Sequence, residues 1–428
     1  MLLDDLKKNI LKNIIEYLFL GIRNLFSIKY YLILTIIFTF VKFLFSYYFG
    51  DNTLDMEWKI IYENLVNSNT FSYHKINEYN VPSIYMPPLY AYFIYIFSFL
   101  GLSEFATVKT ILFSQCLLSV FSAIFFFKIL KIYYNRSISY YVSILYFLYP
   151  LNFYSASQIS SISLQLFLFL GFCYYFLNSR NIKEFILLGF FAGLSILVRG
   201  EFWLLFIFSI MFKVVQNKYS IKKSLICLLT VFLLISPQVV RNYKIFDQVI
   251  LTKSSGYNLW RGNSEELNVN GTNKDNLKIN LDIEKLKKKL TKEGTLEKYE
   301  YFLDDYYFNL AISNIKKDPI AHINHYFDKF FAFSIVNFKS DYPNYFNLII
   351  IIPEIIISIF GLVGFILNFF SKKRNLELSI LLSYYLIIIP VFFILPRYKL
   401  FILPLYFFFA VYIFSFFFQK YFFKKTIK

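Results

Sequence analysis

Long apolar runs recur along this chain and leave few folds open to it. They are Tyr30–Phe49, Phe105–Phe127, Ile138–Ala156, Ile159–Leu177, Ile182–Val198, Phe202–Val215, Leu225–Val240, Phe346–Phe370, Leu376–Leu395 and Phe401–Phe418. A bilayer core is crossed by a helix of roughly 17–25 apolar residues. Backbone groups in lipid must bond within their own segment, so such runs are expected as helices. The sequence therefore predicts an all-α polytopic membrane protein, a bundle of about ten transmembrane helices. A soluble chain of 428 residues would not be 57% hydrophobic with a mean hydropathy of +0.52.

Charge orients the runs. Basic residues gather on the cytoplasmic side of membrane proteins. With the N-terminus inside, Lys128, Lys131, Arg136, Arg180, Lys183, Lys213, Lys218 and Lys372-Lys373-Arg374 all fall inside. So do Lys420, Lys424, Lys425 and Lys428, which places both termini in the cytoplasm. The run Pro87–Gly101 is too short to cross easily, and crossing would put the basic loop after Phe127 outside. It reads as a juxtamembrane or re-entrant helix. The net charge of +17 thus belongs to membrane topology and calls for no nucleic acid. The charged N-terminus is unlike a cleavable signal peptide. Residues 1–29 read as a cytoplasmic amphipathic segment and 30–240 as a transmembrane module with a first outer loop at 50–104. Residues 241–345 read as an extracytoplasmic loop or domain with helical sections near Leu281–Lys298 and Pro319–Phe338, and 346–428 as the closing helices. The expected location is the plasma (inner) membrane. Cys116, Cys173 and Cys227 lie in apolar runs at unrelated spacings, so neither zinc nor disulfides are indicated.

The first outer loop is an acidic exception in a basic chain, with Asp51, Asp55, Glu57, Glu63 and Glu78 against Lys59 and Lys75. Leu54, Trp58, Ile61 and Leu65 share a helical stripe, which predicts a surface helix over Leu54–Asn69. Asp55 and Glu57, with Asp51 third, are carboxylates that could take a proton from an attacking hydroxyl. In the plainer reading they serve the helix dipole. Arg397, with Lys399 beside it, ends the Leu376–Leu395 run on the outer side and could hold a phosphate. Lys42, Lys109 and Arg241 also lie near outer ends and suggest an outward anion site. Arg199 and Glu201 stand between two apolar half-spans, either as functional groups or as snorkelling turn residues. Tyr257 to Asn263 could touch substrate or simply turn the chain. His322, His325 and Asp328, spaced three apart, could hold a metal, but a solvated amphipathic helix is the simpler reading. The sequence names no cofactor and leaves a divalent metal open.

Several of these pieces resemble GT-C glycosyltransferases of the protein-mannosyltransferase and aminoarabinose-transferase type. They are Asp55-Met56-Glu57-Trp58 through Asn64-Leu65, Tyr85-Met86-Pro87-Pro88-Leu89-Tyr90, and Gly193-Leu194 to Arg199-Gly200-Glu201. Arg241-Asn242-Tyr243, Tyr257-Asn258-Leu259, Gly262-Asn263 and Arg397-Tyr398-Lys399-Leu400 with Pro404 follow in the family's order. The resemblance implies a GT-C-like bundle with extracytoplasmic juxtamembrane helices. It implies an enzyme moving a sugar from a polyprenyl-phosphate carrier to a lipid, glycan or protein acceptor on the outer face. It assigns the catalytic carboxylate to Asp55 or Glu57, with Asp51 behind them. It assigns donor phosphate to Arg397, Lys399, Arg241 and Lys109, and substrate to Tyr85, Arg199, Glu201, Tyr257 and Asn258. Met86 stands where some members have a lysine before Pro-Pro, and Gly200 replaces the usual proline. The first departure shifts weight to Arg397. No nucleotide-binding motif appears, which agrees with a lipid-borne donor. A multi-span glycan polymerase or ligase is the alternative enzyme. A transporter would call for midplane charges in symmetric halves, which the sequence does not show.

Overall fold

The structure is a computed structural model that describes residues 28–54, 56–272, 277–340, 345–371 and 374–422. It is mostly helical, and each predicted run has a helical counterpart. Among the described residues three helices are long and apolar enough to cross a membrane: Glu104–Tyr133, Ile221–Phe246 and Leu348–Phe369. Ile28–Phe49, Ile162–Asn178, Ile182–Val198, Phe202–Val215, Leu376–Ile388 and Leu403–Phe422 accompany them. Polar residues at the boundaries explain where several begin. Asn181 and Glu184 form a capping box ahead of Ile182–Val198, each accepting from the other's backbone N–H. Ser103 caps Glu104–Tyr133 in the simpler way. One large apolar core joins the helices, from Trp58 and Ile61 through Phe172 and Phe206 to Tyr406.

Proline redraws two runs. The run Ile138–Ala156 is not one helix: it divides into Arg136–Phe147 and Pro150–Ser157. Pro150 lacks an N–H and crowds the preceding turn, so it opens the second helix. The run Leu376–Leu395 stops as an α-helix at Ile388 and continues as a short 3-10 turn around Pro390. Arg397 then sits in a separate 3-10 turn, Pro396–Phe401. The run ending at Val240 continues to Phe246, past both Pro237 and Arg241.

The loop after Ile28–Phe49 contains the expected helix, Met56–Ser68, with Trp58, Ile61 and Leu65 buried beneath it. One short hairpin follows in this otherwise helical chain. Ser72–Ile76 and Tyr79–Pro82 pair as an antiparallel hairpin. Asn77 (φ 47°) and Glu78 (φ 66°) form its two-residue turn, both in the left-handed region that this turn geometry demands. Pro88–Tyr95 is helical, tightens to 3-10 over Ile96–Leu100 and stops at Gly101 (φ 62°).

In the segment 241–345, expected to lie outside, Leu277–Glu293 and Pro319–Ser334 are the two expected helical sections. Tyr299–Lys317 lies between them and Ser255–Gly262 before them. Ile76 and Val81 of the hairpin pack with Leu290 and Tyr299, so the first loop and the outer segment share a small core.

Candidate active site

The first helix ends against a turn that closes Pro150–Ser157. A Cβ on Gly50 would lie 2.3 Å from the Ser46 carbonyl oxygen and 2.6 Å from that of Ser157. Only glycine lets the backbones approach so closely. The next residue uses that approach: the Asp51 N–H donates to the Ser157 carbonyl at 3.0 Å. The Asp51 side chain accepts from the Ile159 N–H through Oδ2 at 2.6 Å, which orients the carboxylate. Lys109 fixes the same corner from the neighbouring helix, donating to the carbonyls of Tyr47 (2.7 Å) and Asp51 (3.0 Å). Gln115 completes it. Its amide donates to the Gln158 carbonyl at 2.7 Å, and its oxygen accepts from the buried Tyr90 hydroxyl at 2.7 Å.

A cavity of about 330 Å³ opens beside this corner. Asp51, Ser155, Gln158, Ser160 and Arg397 are among its polar walls, with Leu54, Ile159 and Ile162 among the apolar ones. Arg397 arrives from the far end of the sequence. It makes no hydrogen bond or ion pair with the described residues, so its guanidinium is available to a ligand. Its turn is braced twice. The buried Lys399 ammonium pairs with Glu354 at 3.0 Å and also donates to the Ile335 carbonyl. On the other side Arg199 lies 5.0 Å over the Tyr398 ring and 4.5 Å over Phe401. Arg199 in turn pairs with Glu201 at 3.1 Å, whose carbonyl accepts from the Tyr384 hydroxyl at 2.6 Å.

The three candidate carboxylates part company here. Asp51 lines the cavity. Glu57 is exposed on the surface helix and is not among the residues lining the cavity, while Asp55 lies outside the described residues. The cations part likewise. Arg397 lines the cavity, whereas Lys109 and Lys399 are buried and bound to protein groups. Lys42 is buried within the first helix and donates to Ser119 at 2.6 Å. Arg241 holds the base of the hairpin, donating to the carbonyls of Ser83 (2.8 Å) and Phe71 (3.3 Å).

The residues assigned to substrate are not among those lining the cavity; of them, Arg199 lies over Tyr398 and Phe401 in the turn that carries Arg397. Tyr85 and Tyr257 meet edge to face at 5.7 Å. Arg261 lies 5.8 Å over Tyr257 and 4.1 Å over Phe393. Burial drives the Tyr85 hydroxyl well above the usual phenol range, with Tyr257 and the Glu57 charge adding and Arg261 opposing. It is therefore a hydrogen-bond donor and no base. Asn258 belongs to the helix Ser255–Gly262, where its N–H donates to the Ser254 carbonyl at 3.1 Å.

Two structural carboxylates were not singled out in the sequence. Buried Glu300 gathers the first loop onto the outer segment, accepting from His74 (2.7 Å), Ser83 (2.9 Å) and the N–H groups of Ile84 and Tyr85 (2.8 Å each). Nothing in its charged surroundings marks it. Glu354 did carry a signal, because an acidic residue inside a strongly apolar run needs a partner. Among the described residues no group of three or more His, Cys, Asp or Glu is placed to hold a metal. His322 and His325 lie on one helix face but are buried, which corrects the solvated-helix reading.

Comparison with known proteins agrees with this architecture. Residues 85–240 match the family model described as dolichyl-phosphate-mannose-protein mannosyltransferase. No curated protein matches the chain in sequence. The oligosaccharyltransferase of Archaeoglobus fulgidus, solved with a tethered acceptor peptide, superposes with a TM-score of 0.54 at 12% identity. That match covers 93% of this chain and 50% of the other. The oligosaccharyltransferase AglB from the same archaeon, in complex with an inhibitory peptide and a dolichol-phosphate, gives 0.51 at 12% identity, over 90% of this chain and 50% of that one. ArnT from Cupriavidus metallidurans bound to undecaprenyl phosphate gives 0.43 at 10% identity, over 90% and 78%, too loose a superposition to carry an argument. The chain spans about half the length of the archaeal enzyme. The resemblance to GT-C glycosyltransferases holds, in a family model over 85–240 and in the fold over most of the chain.

Proposed function

We propose that this protein is an inverting glycosyltransferase that moves a sugar from a polyprenyl-phosphate carrier to a lipid, glycan or protein acceptor. In this reading about ten helices span the plasma membrane, both termini are cytoplasmic, and the cavity opens on the outer face. The observation that carries it is the meeting of Asp51 and Arg397 on the walls of one cavity. The archaeal structural neighbour, solved with dolichol-phosphate and with peptides, supports a lipid-borne donor and an acceptor drawn from outside the bundle.

The chemistry follows from the placement. The acceptor loses its proton to Asp51 as its oxygen or nitrogen attacks the anomeric carbon. The bond from that carbon to the phosphate oxygen breaks, and the electron pair leaves with polyprenyl phosphate. Attack opposite the leaving group inverts the anomeric centre. Arg397 offsets the charge gathering on the departing phosphate. In this reading the Tyr85–Tyr257 pair and the Arg199–Glu201 pair contact sugar or acceptor.

Reconstitution in liposomes with a panel of polyprenyl-phosphate monosaccharides tests the reading. Release of polyprenyl phosphate, coupled to a single sugar on an acceptor, is the expected result. Arg397→Ala should slow transfer by about 10²-fold or more, as loss of one transition-state charge partner does. Chain extension would favour the polymerase. Solute uptake without sugar release, or a wild-type rate in Arg397→Ala, would contradict the proposal.

A further inference from the structure

The helix Pro319–Ser334 is amphipathic in the wrong direction for a water-facing surface helix. Its polar residues His322, His325 and Lys329 are 7%, 3% and 0% exposed. Its large apolar residues Ile320, Ile323, Phe327 and Phe331 are 71%, 56%, 52% and 57% exposed. The spacing puts each set on one helix face. The inward polar face is bound to the protein. Lys329 donates to the Gly262 carbonyl at 2.8 Å and to the Asn263 side-chain oxygen at 3.3 Å. Burial, with the Lys329 charge second, lowers His325 to about 4, so that imidazole is neutral at ordinary pH. The outward half is itself divided, because Asn324 and Asp328 are exposed along one edge of the apolar stripe.

A stripe of four large apolar side chains in water would be unusual for a soluble surface. Two contacts place the helix beside apolar helices. The Tyr326 hydroxyl donates to the Ile387 carbonyl at 3.1 Å, at the end of the apolar helix Leu376–Ile388, where Ile387 is itself exposed. At the other end Ile335 and Val336 pack against Ile351 and Ile355 of Leu348–Phe369, a helix able to cross a membrane. The helix therefore lies against the ends of two apolar helices, with the exposed Ile387 beside its own exposed stripe. We infer that Pro319–Ser334 lies in the headgroup–acyl boundary of the bilayer, with acyl chains covering Ile320, Ile323, Phe327 and Phe331 and with Asn324 and Asp328 at the headgroup edge. This stands whether or not the glycosyltransfer reading does.

Spin labels on the full chain in liposomes test it. Ile323→Cys, Phe327→Cys and Asn324→Cys are labelled singly; the native Cys116, Cys173 and Cys227 are buried, and the unaltered protein serves as blank. Collisions with oxygen should outnumber those with a water-soluble nickel chelate severalfold at Ile323 and Phe327, and the order should reverse at Asn324. Two stripe positions keep the test valid if one variant fails to fold. Equal access of the chelate to stripe and edge would put the stripe in water. Low collision with both reagents, together with Phe327→Cys crosslinks between copies, would put protein there. Either result overturns the inference.

Discussion

Lys399 and Glu354 show what a charge inside an apolar bundle requires. Both are almost wholly buried, and Glu354 also accepts from the Tyr345 hydroxyl at 3.0 Å. Leaving one member of a buried pair alone costs about 3–5 kcal/mol. Lys399→Met should therefore lower the thermal unfolding midpoint of the purified protein sharply. Lys399→Met combined with Glu354→Gln should recover most of the loss, since no unpaired charge remains. Equal destabilisation by the single and double variants would show that the pair is not what holds the Arg397 turn. At this scale the sequence was informative in kind and ambiguous in detail. It marked Asp51 and Arg397 and also marked Lys399, Lys109 and Arg241, because a cation near a helix end reads alike whether it faces a ligand or a carbonyl. Only the partners separate them.

Among the elements, the close approach of the first helix to the Ser157 turn positions the Asp51 carboxylate. Gly50→Ala would press a methyl group onto two carbonyl oxygens that are backbone and cannot swing aside. The expected outcome is a folded protein whose sugar transfer falls at least tenfold (about 1.4 kcal/mol in barrier), measured against an unchanged circular dichroism spectrum. Unchanged transfer would mean that this approach does not set the carboxylate. The runs of apolar residues located the helices well, because burial in lipid or core demands them. Their ends were less legible. Pro150 and Pro390 interrupt runs that hydropathy alone joins, and the hairpin at Asn77-Glu78 was hidden because neither residue is glycine, the usual sign of a left-handed turn. The inverted burial of Pro319–Ser334 was hidden too, since periodicity shows two faces and does not say which one the protein keeps.

Across the whole molecule, the cavity is assembled from both ends of the chain, with Asp51 after the first helix and Arg397 before the last. Glu300 ties the first loop to the outer segment, and Arg199 with Lys399 fixes the turn that carries Arg397. That convergence could not be read from sequence, where the candidates lie in separate segments. The resemblance to GT-C enzymes supplied their order but favoured Asp55 or Glu57 over Asp51. The rate of sugar transfer in Asp51→Asn, measured beside Asp55→Asn and Glu57→Gln, bears on this most directly. With Asp51 as the base, transfer falls by about 10²–10⁴-fold in Asp51→Asn and stays near wild type in Glu57→Gln. Wild-type transfer in Asp51→Asn, with loss in either of the other two, would contradict it.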